Sequence, residues 1–83
     1  MAGWRITDEW HVLDLAPGVH VQVCERGEGT WHLWVLVGGT LTVRFVKVRT
    51  LAAAKRMALK DVRSSFPAHA ALIDELLAQL PGE

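Results

Sequence analysis

The sequence predicts an α+β fold, an antiparallel sheet of three to four strands packed by C-terminal helices. Three observations carry this. Residues 31–37 and 40–49 are apolar, β-rich runs joined by Gly38-Gly39, which supplies the positive φ angles of a two-residue hairpin turn. Residues 19–26 alternate, with Val19, Val21 and Val23 on one face and His20, Gln22 and Cys24 on the other. After Thr50 the apolar period changes from that of a strand to that of a helix.

In chain order, residues 4–7 read as a short strand or an arm. Residues 10–15 form a strand that Ala16-Pro17-Gly18 closes. The second strand spans 19–26 and turns at Gly27-Glu28-Gly29. The third, 30–37, is apolar on both faces, which suits a central strand. The fourth, 40–49, shifts phase: Leu41, Val43 and Phe45 share one face, then Val46 and Val48 take the other parity. Either a bulge near Phe45-Val46 brings both sets to the core, or Val46 and Val48 join Trp34 and Leu36 on the second face. The second arrangement is preferred, because Thr42 and Arg44 share that parity and mark its wetter end.

Thr50 is placed as an N-cap, its hydroxyl accepting an orphan backbone N–H. The helix 50–63 gathers Leu51, Ala58 and Val62 on one side, with Ala54 and Leu59 flanking. Arg56, Lys60 and Arg63 fall opposite, and Lys55 snorkels at the border. Pro67 in a first turn starts the second helix, 67–80. Its stripe is His69, Leu72, Ile73, Leu76, Leu77 and Leu80, and it either joins its own sheet or pairs with another chain.

Eighty-three residues make a single domain, 1–83. A chain of this size buries about 60% of the surface its unfolded form exposes, yet 51% of its residues are hydrophobic, four of them Trp. The expectation is an apolar surplus that meets a partner. No run reaches the ~20 apolar residues of a membrane span, and the N-terminus lacks the pattern of a signal peptide. The single Cys24 excludes an internal disulfide and points to a cytoplasmic protein.

Charge is zero overall but uneven. Residues 1–43 and 64–83 each carry −3, whereas residues 44–63 hold seven basic residues against Asp61. Such a block marks either a nucleic-acid or acidic-partner surface, or a solvated face beside a guarded sheet edge.

The order of elements resembles small uncharacterised proteins of actinobacteria and their bacteriophages. Trp31 and Val35 match a W-x-x-x-V strand, and Thr50, Leu51, Ala54, Lys55 and Ala58 match a T-L-x-x-A-K-x-x-A helix start. The likeness spans about residues 10–63. It implies a fold and a phage or mobile-element origin, with a host protein as a possible target, and brings no active site. In outline the chain is also similar to integrase arm-type DNA-binding domains and to double-stranded RNA-binding domains. For the former only Arg26, Arg44, Lys47 and Arg49 are available; for the latter only Lys55 and Arg56 match the basic helix start.

No catalytic constellation stands out, and neither metal nor cofactor is expected. His20 and His32, placed opposite each other, would be half a metal site needing Cys24 or Glu25 as well. They read better as polar residues of the second face. Asp8-Glu9 and Asp74-Glu75 point to different faces and make poor acid–base pairs.

The resulting expectation is a non-enzymatic interaction module, a homodimer. Its interface residues are His32, Trp34, Leu36 and Val46 on the sheet, with Leu72, Ile73, Leu76, Leu77 and Leu80 on the last helix. Trp34 is the anchor, against the alternative that it lies under the C-terminal helix. Trp10 and Trp31 are assigned to the core. The alternative is a nucleic-acid binder using Arg44, Lys47, Arg49, Arg56, Lys60 and Arg63, with binding that weakens steeply with salt.

Overall fold

The computed structural model describes residues 3–81. Five antiparallel strands form a meander in the order β1 (Arg5–Thr7), β2 (Trp10–Ala16), β3 (Val19–Gly27), β4 (Thr30–Val37) and β5 (Thr40–Lys47). Two helices follow, α1 (Leu51–Ser65) and α2 (Ala70–Ala78), with a 3₁₀ turn at Pro67–His69 between them. The class is α+β as expected, with a fifth strand where three to four were expected. The extra strand is β1, which pairs Arg5 with Val12 and Thr7 with Trp10.

Each turn follows from its residues. Pro17-Gly18 places proline before a glycine at φ 79°, the type II combination. Gly38 and Gly39 sit at φ 56° and 85°, which fits a type I′ hairpin. This turn closes on the Val37–Thr40 pair and fixes the whole β4–β5 register: Trp34 faces Val43 and Trp31 faces Val46. The preferred reading of β5 is thereby corrected. Directly opposed residues share a face, so Val46 lies with Trp31, whereas Leu41, Val43 and Phe45 lie with Leu36, Trp34 and His32.

One face of the sheet carries both helices. Leu13, Val21, Val23 and Leu33 meet Ala54, Ala58, Leu59 and Val62 of α1 and Ile73 of α2, all fully buried. Full burial of each such Val, Leu or Ile side chain contributes about 1.5–3 kcal/mol. The alanines of α1 let its backbone approach the strands, and the helix lies over β3 and β4. Thr50 caps it, accepting from the Ala53 N–H at 3.1 Å. Phe66 ends it by donating its N–H to Val62 at 2.7 Å, and Pro67 blocks its continuation. Trp31 is core as expected, and its indole N–H donates to the Val48 carbonyl at 3.2 Å.

The second helix packs on its own chain. Ile73 and Leu76 are buried, and Leu72, Leu77 and Leu80 pack partly buried against the same cluster. Arg63 holds α2 to α1 through a two-pronged contact with Asp74 at 2.9 and 3.2 Å. This contact lowers the Asp74 carboxyl pKa, chiefly by the hydrogen bond from Arg63. Among the described residues no helix is long and apolar enough to cross a membrane.

Candidate functional site: the open face and the β5 edge

The helices leave the other sheet face open. By register, the Thr30–Lys47 pair stands at one end of it and three longer cross-strand rows follow. Cys24, His32 and Phe45 form one, Val12, Gln22, Trp34 and Val43 the next, and Asp14, His20, Leu36 and Leu41 the third.

The first two rows are bound by aromatic contacts. Trp10 lies 5.2 Å from His32 and 6.0 Å from Trp34 between ring centroids, and His32 stacks on Phe45 at 4.5 Å. The Arg26 guanidinium sits 5.3 Å from the Trp10 ring. Although Val12 and Cys24 belong to this face, both are buried. Trp10 is therefore not the core residue it was expected to be: it is half-buried on the open face. Trp34 lies on the side away from α2, which rules out the arrangement beneath the C-terminal helix.

Exposure rises toward the edge strand. Leu41, Val43 and Phe45 are 47%, 44% and 63% exposed, beside half-buried Trp34 and Leu36. These three residues were missed as site residues. The Gly38-Gly39 turn carried the signal, since a two-residue hairpin pairing 37 with 40 also pairs 34 with 43.

Of the expected interface residues, His32, Trp34 and Leu36 lie together on the open face. Val46 does not; it faces the helices beside Trp31. Ile73 and Leu76 are enclosed in the chain's own core and present nothing to a second molecule. Leu72, Leu77 and Leu80 are largely spent on intrachain packing.

The basic block is divided. Arg44 turns toward the helices and pairs with Asp61 at 2.7 Å. Arg63 pairs with Asp74, and Arg56 donates to the Pro81 carbonyl at 2.7 Å. Lys47 falls on the opposite side of β5 from Arg44, while Arg49 and Lys60 are exposed elsewhere. Lys55 lies 4.6 Å from the Trp4 ring centroid, and burial lowers its pKa.

Polar groups on the open face are locally engaged. Asp14 pairs with Arg5 at 2.7 Å and with the Nδ1 of His20, and these hydrogen bonds, His20's first, hold its carboxyl below the usual range. His20 stands opposite Leu36 and His32 opposite Cys24, so the two histidines do not face each other. Among the described residues no cluster of three or more His, Cys, Asp or Glu is arranged to hold a metal ion. The Cys24 Sγ donates to the Glu25 carbonyl at 3.5 Å.

On the helix side, a cleft of about 540 Å³ opens where α1 stops short of β5, lined by Thr40, Thr42, Arg44, Asp61 and Ser64 among others. Its Arg44 and Asp61 neutralise each other. Comparison with known protein families, curated proteins and solved structures finds no match for this chain.

Proposed function

We propose that the chain is a small non-catalytic protein-interaction module that associates with a second copy of itself through the open sheet face where it reaches β5. A cytoplasmic setting belongs to this reading, since the one thiol is buried and unpaired. The observation that carries it is the unbroken exposed line of Leu41, Val43 and Phe45 on an edge strand, continuous with Leu36 and Trp34. Proteins that stay monomeric blunt such edges with charge, proline or bulges. β5 has neither proline nor bulge, its Arg44 is held by Asp61, and its Lys47 stands at the end of the strand beyond Phe45. Contiguous apolar surface of this kind marks an association site.

The test is solution mass by light scattering over a concentration series. A mass that rises to twice 9.2 kDa supports the reading. Replacing both Val43 and Phe45 by Lys is expected to return it to the monomer value. A wild-type chain that stays monomeric at millimolar concentration sinks the proposal.

Nucleic-acid binding through residues 44–63 has less support. Arg44 and Arg63 are already neutralised by Asp61 and Asp74, and Arg56 donates to the Pro81 carbonyl. A labelled duplex shifted at low salt, and released when Arg56 and Lys60 become Glu, would reinstate it.

A further inference from the structure

We infer that two copies join edge to edge, β5 antiparallel to β5, in the one register that places Val43 opposite Val43 of the second copy. This rests on the self-association proposed above and specifies its geometry.

The backbone supplies half of the case. The tight turn closes on Val37 and Thr40, so ladder alternation directs the peptide groups of Thr40, Thr42, Arg44 and Val46 toward β4. The same parity continues past the strand, where the Val48 N–H donates to Gly29 at 3.0 Å. The N–H and C=O groups of Leu41, Val43 and Phe45 therefore point the other way. Among the described residues no strand lies beyond β5 to receive them. The residues with unused backbone groups are the residues with exposed apolar side chains.

β5 is also open to approach. Its pairing with β4 runs without a bulge, unlike β2–β3 and β3–β4, and it contains no proline. α1 lies over β3 and β4, and a cleft rather than a helix borders Thr40 and Thr42. The opposite edge, β1, offers three residues, of which only Ile6 is apolar.

Side-chain chemistry then selects the register. A two-fold axis normal to the sheet keeps both open faces on one side and pairs outward residues with outward residues. Centred on Val43, the pairs are Val43 with Val43, Leu41 with Phe45 and Phe45 with Leu41, about six backbone hydrogen bonds in all. Arg44 then faces Thr42 of the second copy, and Lys47 faces Gly39. Centring on Arg44 sets two guanidiniums against each other and Lys47 against Leu41. Centring on Thr42 leaves Phe45 facing Gly39. Only the Val43 register matches every apolar residue and opposes no like charges. Each Arg44 is already held by its own Asp61, so the approaching edges do not repel.

The contact is small. An eight-residue edge buries less than the ~1,200 Å² total of a standard interface, so the dimer is expected at about micromolar affinity.

Cysteine scanning tests the register. The Cα atoms of a hydrogen-bonded antiparallel pair lie about 5.5 Å apart, within disulfide reach. Under mild oxidation Val43→Cys is expected to give a covalent dimer about tenfold or more faster than Leu41→Cys or Phe45→Cys alone. Mixing Leu41→Cys with Phe45→Cys is expected to restore fast cross-linking between the two variants. Wild type, with Cys24 buried, is the blank. Val43→Pro, which removes an outward N–H, is expected to keep the monomer's circular dichroism and abolish the dimer. If wild type doubles its mass but Val43→Cys links no faster than its neighbours, the register is overturned and self-association stands. If wild type stays monomeric and Val43→Cys does not link, both fall.

Discussion

The indole N–H of Trp34 donates to Nε2 of His32 across 2.8 Å. Accepting at Nε2 requires the neutral ring to carry its proton on Nδ1, and that atom is buried without a partner. A protonated ring has no acceptor left, so charging His32 breaks the contact and places a cation between aromatic rings.

Stability should therefore fall on mild acidification. Burial, and then the nearby Arg26, lower the His32 pKa; burial and Lys55 do the same at His11. The unfolded chain takes up these protons near pH 6.5, the folded chain only at lower pH. Stability is then full above about pH 6.5, declines as pH drops toward the folded values, and levels off below them. Urea midpoints at pH 7.5 and 5.5, followed by tryptophan fluorescence, should differ in that direction. His32→Phe keeps a ring against Phe45 and should shrink the difference. An unchanged difference would assign the effect to His11.

The docking of α2 makes a second prediction. Ile73 is fully buried where α2 meets the core. Ile73→Ala is expected to cost about 2–5 kcal/mol, the transfer and cavity terms together. Phe45→Ala, on the open edge, should change monomer stability by only about 0.5 kcal/mol. Chemical denaturation of both variants at a concentration below dimerisation checks the contrast. A mild effect of Ile73→Ala would mean that α2 is not part of the folding unit.

Much of this architecture was legible in the sequence because local rules and packing agree there. The alternation of Val19, Val21 and Val23, and the side of α1 with Ala58 and Val62 flanked by Ala54 and Leu59, are where core residues are found, and Leu51 of that side is half-buried. β1 was harder to read, because three exposed residues carry no periodic signal. β5 was misassigned for an instructive reason. Within the strand alone, Thr42 and Arg44 share the parity of Val46 and Val48 and so mark the wetter end of the second face. The Gly38-Gly39 turn outranks that pattern, since it fixes which residues of β4 oppose them. Arg44 faces the helices because Asp61 is there to meet it. No pattern within the strand could announce that partner. The fate of α2 also depended on tertiary packing, since an amphipathic stripe suits its own sheet and a second chain equally well.

Thr50 provides a third prediction. Its hydroxyl satisfies the Ala53 N–H at the start of α1, and the residue is exposed. Thr50→Ala is expected to cost about 1 kcal/mol, and Thr50→Ser or Thr50→Asp should recover most of it, since both retain a capping oxygen. Thermal melts of the three variants decide the matter. A loss in all of them would tie the effect to the methyl group instead of the cap.

The hairpin turn that sets the edge register is open to a test of opposite signs. Gly38 at φ 56° has empty space where a Cβ would go, and asparagine tolerates that backbone region. Gly38→Asn yields the Asn-Gly pair favoured in type I′ turns and restricts the unfolded chain, so it is expected to stabilise by up to about 1 kcal/mol. Gly39 also has free space, but its φ of 85° strains any residue with a Cβ. Gly39→Ala is therefore expected to destabilise by about 1–2 kcal/mol. Neighbouring glycines with equally open surroundings thus separate on backbone angle together with asparagine's tolerance of the left-handed region. Denaturant midpoints that move together for both variants would show that some other turn geometry connects β4 to β5, and the Val43-centred register would lose its basis.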